Sequence, residues 1–166
     1  MLFRSEKQRE AAAQTSSSVE DYLRSLDMKL TIRYGQANAP YFDRIEQLIM
    51  RTNQFNLMTI RYTKEELSRW MERLQKGQAE IFSLESEDKY GNDGIVGLMI
   101  VGFSTTGQAV IDTFCLSCRV LGRTIENAFV AQIITVLRQK GITHVLLNSQ
   151  SGFFLKPSNI DQETSS

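Results

Sequence analysis

The chain has 166 residues, 42% hydrophobic and 23% charged, which is enough for one domain with a substantial core. Lysine plus arginine and aspartate plus glutamate both number 19, and this zero net charge argues against a nucleic-acid binder or a binder of acidic membranes. No apolar run approaches the roughly 20 residues of a membrane-spanning helix, and two cysteines exclude a disulfide framework, so we expect a cytoplasmic protein.

Residues 4–27 form a polar, helix-prone segment that is interrupted by Thr15 to Ser18. Ser18 is suited to cap a short helix that begins at Val19, because two acids follow in its first turn. Since so few of these side chains are apolar, we expect residues 1–27 to bury little and to act as lead-in or linker helices.

The predicted domain spans residues 28–148 and begins with a strand, a loop and two helices. Met28 to Tyr34 alternates apolar and polar residues, as a half-buried strand does. Gly35 to Pro40 is a predicted loop, and the following pattern predicts a helix from Tyr41 to about Asn53. Thr63 and Glu66 form a capping box that opens a second helix. The apolar stripe of that second helix comprises Leu67, Trp70, Met71 and Leu74.

Strands then dominate, with one long helix near the end. The predicted order of the domain is β-α-α-β-β-β-α-β, and the segment from Ile95 to Phe103 is apolar on both faces, which is typical of a central strand. The predicted segments are a strand Glu80–Glu85, a turn Asp88–Gly94, strands Ile95–Phe103 and Ala109–Cys118, a helix Arg123–Lys140 and a strand His144–Asn148.

The most informative segment lies between the strand and the long helix, from Ser117 to Glu126. The first N–H groups of a helix have no partner within it, and they bind phosphate well. Arg119 and Arg123 add charged donors, and Gly122 permits close approach of a ligand. The spacing alone fits equally well an ordinary strand-to-helix connection with two solvated arginines.

The element order resembles that of GNAT acyltransferases. Arg119-x-x-Gly122-x-Thr124 resembles their coenzyme A pyrophosphate loop, Gln/Arg-x-x-Gly-x-Gly/Ala, although Thr124 departs from the small third residue. The resemblance implies an α/β (α+β) GNAT-like acyl-CoA N-acyltransferase fold, a mixed central sheet with flanking helices. It also implies that coenzyme A or phosphopantetheine is held by Arg119, Val120, Leu121, Gly122, Arg123 and Thr124.

Three segments are more specifically similar to the C-terminal, GNAT-like region of FkbH-like proteins. Residues 51–62, 88–97 and 111–126 match family stretches that read much like KTNQFNLTTRRY, DRFGDNGLVG and SCRVLGRGVE. Full-length members add a haloacid-dehalogenase-type (HAD) domain, associated with moving a glyceryl group onto an acyl carrier protein for polyketide-type biosynthesis. The Asp-x-Asp motif of that domain is absent from this sequence. The resemblance therefore implies an acyl carrier protein and a HAD-type domain, in cis or in trans, as partners, and no metal in this chain.

Asp112 is the candidate base for acyl transfer to an amine. The strand pattern places it on one face with Phe114 and Leu116, where burial would raise its pKa. A structural role as partner of Arg119 is the favoured interpretation. GNAT enzymes usually supply the acid from a later tyrosine, and none follows Tyr90 here.

Four further polar residues are candidates. Asn53, Gln54 and Asn56 follow the first domain helix, where Asn53 is suited to cap it and Gln54 to bind an acyl or pantetheine chain. Cys118 is a candidate nucleophile for thioester transfer. A redox or metal pair with Cys115 is disfavoured, because both would sit on a strand and other metal ligands are scarce.

Residues 149–166 lose the family pattern, and we expect a disordered or aberrant tail that leaves the sheet incomplete at the C-terminus. Binding of a phosphopantetheine-bearing ligand is therefore the first functional prediction. The alternatives are a stand-alone N-acyltransferase that uses acetyl-CoA, and a non-catalytic interaction module.

Overall fold

The structure is a computed structural model, and it describes residues 2–51, 63–104, 107–117, 120 and 125–147. The described strands form one mixed sheet in the order β1-β2-β3-β4-β5, in which only β4 and β5 run parallel. The helices are α1 (Leu2–Thr15), α2 (Val19–Ser25), a 3-10 helix (Gly35–Tyr41), α3 (Phe42–Arg51), α4 (Lys64–Gln75) and α5 (Ile125–Gln139). The strands are β1 (Lys29–Tyr34), β2 (Ala79–Asp88), β3 (Gly91–Phe103), β4 (Gln108–Leu116) and β5 (His144–Leu147).

The predicted element order is confirmed, and β3 is the central strand. A turn lies within the predicted range Asp88–Gly94, but it is shorter than predicted, because β2 and β3 stay paired as far as Asp88 and Gly91. The Asp88 carboxylate accepts the N–H of Tyr90 at 2.9 Å and so caps the tighter turn. The predicted C-terminal incompleteness of the sheet falls on residues outside those described.

The predicted loop after β1 is a 3-10 helix tied to β2 by side chains. Asn38 is fully buried, and its Nδ2 donates to the Ile81 carbonyl at 2.7 Å. Its Oδ1 accepts the hydroxyl of Ser83. The N–H of Gly35 donates to the Glu80 carboxylate at 2.6 Å. These bonds link residues that are distant in sequence. They hold the segment against β2 as a 3-10 helix, where the sequence predicts a loop.

Each face of the sheet carries a separate apolar core. The face under α5 is filled from all described strands, and the predicted buried face of α5 is confirmed. The α5 contribution comprises Ile125, Phe129, Ile133, Val136 and Leu137. The opposite face is covered by α3 and α4, and its core comprises Ile45, Leu48, Ile81, Ile95, Leu98, Ile100 and Cys115.

The start of α4 confirms the predicted capping box. The Thr63 hydroxyl accepts the N–H of Glu66 at 3.2 Å, and the Glu66 carboxylate accepts the N–H of Thr63 at 2.7 Å. The Ser18 cap of α2 is confirmed as well, since its hydroxyl accepts the N–H of Asp21 at 3.1 Å.

The expectation that the lead-in buries little is wrong at three residues, since Ser5, Arg9 and Leu26 are buried. Arg9 of α1 is only 2% exposed, and its Nε and Nη2 donate to the two Asp88 oxygens at 2.8 and 3.0 Å. Nη2 also lies 3.3 Å from an Asp93 oxygen, and Nη1 lies 3.2 Å from Glu6. The hydrogen bond to Asp88 raises the pKa of Arg9 above its usual value. Arg9 thus attaches α1 to the β2–β3 hairpin, while the domain boundary at residue 27 stays a prediction.

We expect Arg9→Met to lower the free energy of unfolding by about 3–5 kcal/mol, because it leaves two buried carboxylates without their cation. Urea denaturation measures the change. Arg4→Met removes the same charge from an exposed position of α1 and should cost less than about 0.5 kcal/mol. Equal losses in the two variants would show that the buried ion pair does not stabilise the fold.

We expect Gly97→Ala to destabilise the protein by about 1–3 kcal/mol through overpacking. A Cβ at Gly97 would lie 2.8 Å from Leu116 Cδ2 and 3.2 Å from Leu84 Cβ, both in the core under α5. Gly102→Ala is the matched control on the same strand. Its closest neighbour, Arg73 Nη2 at 2.9 Å, is the end of a flexible side chain and can move. A smaller shift in urea midpoint for Gly97→Ala than for Gly102→Ala would contradict this account.

Candidate functional site

A β-bulge in β4 determines where Asp112 lies. Ile100 of β3 is opposite Thr113, whereas Val101 is opposite Ile111, so Asp112 is the extra residue of β4. An extra residue shifts the alternation of side chains beyond it. Ile111 and Phe114 therefore both lie in the core under α5.

The predicted placement of Asp112 on one face with Phe114 and Leu116 is wrong for this reason. The two apolar residues lie in the core under α5, whereas Asp112 lines a cavity that α4 covers on the other face. Asp112 is half-buried and already has a polar or charged partner in the structure. Its predicted roles as base or structural partner of Arg119 stay predictions.

The cavity beside Asp112 has a volume of about 260 Å³ and is open to solvent on one side. Helix α4 forms one wall, and the ends of β3 and β4 form the other. The residues that line it are Trp70, Arg73, Gly102, Phe103, Ser104, Val110 and Asp112. It therefore combines an aromatic ring, a guanidinium and a carboxylate in one small space.

Arg73 is held in this cavity by stacking and by close packing. Its Cζ lies 4.3 Å from the centre of the Trp70 ring, a cation–π contact. Gly102 makes room for the pair, because a Cβ there would lie 2.9 Å from Arg73 Nη2 and 3.3 Å from the Trp70 ring. The cations of the ion pairs between described residues are Arg9, Arg33, Lys64 and Lys140, and Arg73 takes part in none of these pairs. Sequence reasoning assigned Trp70 to the core alone and gave Arg73 no role.

The described pairing of β4 with β5 is parallel. The parallel register runs from Gln108 opposite His144 to Ile111 opposite Leu147. β4 then continues along β3 as far as Leu116, opposite Gly97.

Two backbone hydrogen bonds hold described residues of the turn that follows β4. The N–H of Ser117 donates to the Val96 carbonyl at 2.7 Å, and the N–H of Val120 donates to the Ser117 carbonyl at 3.2 Å. Val120 and Ile125 are each 1% exposed and lie in the core under α5. Val120 is almost wholly buried, and its predicted binding role stays a prediction.

The remaining predicted site residues lie outside the described residues, so their roles stay predictions. They are Asn53, Gln54 and Asn56 after α3, and Cys118, Arg119, Leu121, Gly122, Arg123 and Thr124 in the turn before α5. In the described ranges no group of three or more His, Cys, Asp or Glu side chains is arranged to hold a metal ion. None of the described helices is long and apolar enough to span a membrane.

Neither a protein-family model nor a curated protein matches this chain. Its fold is similar to that of an aminoglycoside acetyltransferase from an uncultured soil metagenomic sample, solved with sisomicin. That likeness has a TM-score of 0.55 at 12% identity and covers 82% of this chain and 88% of the other.

Two further acetyltransferases show the same likeness. Glucosamine-6-phosphate N-acetyltransferase from Arabidopsis thaliana has a TM-score of 0.52 at 15% identity, with 81% of this chain and 89% of the other covered. Ribosomal-protein-S18-alanine N-acetyltransferase from Escherichia coli has a TM-score of 0.52 at 13% identity, with 81% and 74% covered. The predicted fold class is confirmed: the chain has the GNAT acetyltransferase fold, a mixed sheet with flanking helices.

Proposed function

We propose that this chain is the GNAT-like domain of an FkbH-like protein and binds a phosphopantetheine-bearing ligand. The ligand is an acyl-coenzyme A or an acyl carrier protein, in glyceryl or acyl transfer for polyketide-type or related biosynthesis. The GNAT fold supports the coarser part of this proposal, since its solved neighbours are acetyltransferases. The three segments similar to FkbH-like proteins support the finer part.

The observation that carries the proposal is the course of β4. The strand bulges at Asp112 and then runs along β3 to Leu116, and Ser117 begins the turn before α5. Five residues of extended chain between Asp112 and Ser117 span roughly 16 Å. A long, thin ligand with a phosphate at one end and a thioester at the other suits such a path.

Phosphate binding would occur at the turn. The first N–H groups of α5 have no partner within the helix, and the helix dipole adds partial positive charge there. Arg119 and Arg123 flank Gly122 in the sequence and would add charged donors. A local site of this kind is compatible with a chain of zero net charge.

The pantetheine arm would then lie along β4, and its thioester would reach the bulge. The outer edge of a strand presents N–H and C=O groups at a regular spacing, which match the amides of pantetheine. The acyl group would arrive beside Asp112, at the mouth of the cavity. Any HAD-type chemistry would belong to a partner domain in cis or in trans, because this chain lacks the Asp-x-Asp motif.

Calorimetric titration of the full chain with three probes tests the proposal. Coenzyme A and the holo form of an acyl carrier protein should bind, whereas the apo form, which lacks the phosphopantetheine arm, should bind at least tenfold more weakly. A folded sample that binds none of the three probes would rule the proposal out.

We expect Arg119→Ala to weaken coenzyme A binding by about tenfold or more, since a charged hydrogen bond contributes about 1.5–3 kcal/mol. Arg138→Ala is the matched control: it removes the same charge from an exposed position at the other end of α5. The dissociation constants of both variants for coenzyme A test this expectation. Equal effects, or no effect of Arg119→Ala, would place the phosphate away from the turn.

A further inference from the structure

The cavity beside α4 lies where the acyl group of the proposed ligand would end. Asp112 belongs both to the bulge of β4 and to the cavity wall. The inference drawn from this position rests on the proposed function, because the acyl group would be delivered by the pantetheine arm.

The cavity is small. Its volume of about 260 Å³ lies just below the range of roughly 300–1,000 Å³ that pockets for drug-sized molecules occupy. Its walls are formed by packed elements, since Trp70 belongs to the core between α4 and the sheet. A short acyl group fits this space.

The guanidinium of Arg73 points to an anionic group as its ligand. Arg73 is half-buried, and its guanidinium stacks on the Trp70 ring in the space that the missing side chain of Gly102 leaves. A guanidinium stacked on an aromatic ring is suited to bind a carboxylate through two parallel hydrogen bonds. Arg73 takes part in none of the ion pairs of the described residues, whereas Asp112 on the other wall already has a partner.

We propose that this cavity receives a short acyl group with a terminal carboxylate, and that Arg73 binds this carboxylate. Arg73 is then the residue that distinguishes a dicarboxylic acyl group from a simple alkyl one. Trp70 and Gly102 act as positioning residues, because they hold the guanidinium without contacting the ligand's charge.

Succinyl-coenzyme A and butyryl-coenzyme A provide a matched pair of probes, because both carry four-carbon acyl groups and differ in a terminal carboxylate or methyl group. Calorimetry on the full chain should show that succinyl-coenzyme A binds about tenfold or more tightly than butyryl-coenzyme A. Arg73→Gln should abolish this preference and leave the affinity for coenzyme A itself unchanged.

Two further variants separate charge from fold. Arg69→Gln removes a cation from an exposed position one turn earlier on α4 and should keep the preference. Gly102→Ala retains the guanidinium but displaces it, and should reduce the preference.

The outcomes separate this inference from the proposed function. Binding of coenzyme A without any preference for the succinyl group would overturn only the assignment of the cavity. A preference that survives in Arg73→Gln would overturn the role of Arg73. Failure of all three coenzyme A compounds to bind a folded sample would overturn both this inference and the proposed function.

Discussion

One extra residue in β4 determines how both faces of this domain are used. Asp112 has no partner of its own in the β3–β4 register. The alternation of side chains between the two faces of the sheet is therefore shifted by one residue beyond it. Ile111 and Phe114 can then both enter the core under α5, while Asp112 lines the cavity under α4. The bulge thus joins the core, the proposed ligand path and the cavity in one short stretch of chain.

Patterns that depend on neighbouring residues predicted most of the fold. The stripe of α5, the capping box at Thr63 and the alternation of β1 are each local in sequence, and each is confirmed. The bulge is different, because it depends on which β3 residue lies opposite each β4 residue. Strict alternation therefore placed Asp112 on the wrong face. The same limit applies to Arg9, whose partner Asp88 is 79 positions away and whose burial no helical pattern indicates.

The candidate site likewise contains one part that is local in sequence and one part that depends on distant residues. The turn from Ser117 to Ile125 was recognisable because a strand, a glycine and a helix start follow one another in the sequence. Arg73 was not recognisable, because its importance comes from Trp70 on its own helix and from Gly102 on a distant strand. A zero net charge likewise says little about local charge, since buried Arg9 forms an ion pair with Asp88 whereas half-buried Arg73 stacks on Trp70.

The central claim is that a phosphopantetheine-bearing ligand lies along β4 from the turn to the bulge. Backbone amide chemical shifts, followed by NMR while coenzyme A is added, test it most directly. The account predicts that shifts change from Thr113 to Ser117 and at Ile125 and Glu126, and stay constant along β1. Shift changes confined to β1 and β2, or the absence of any change at saturating coenzyme A, would contradict it.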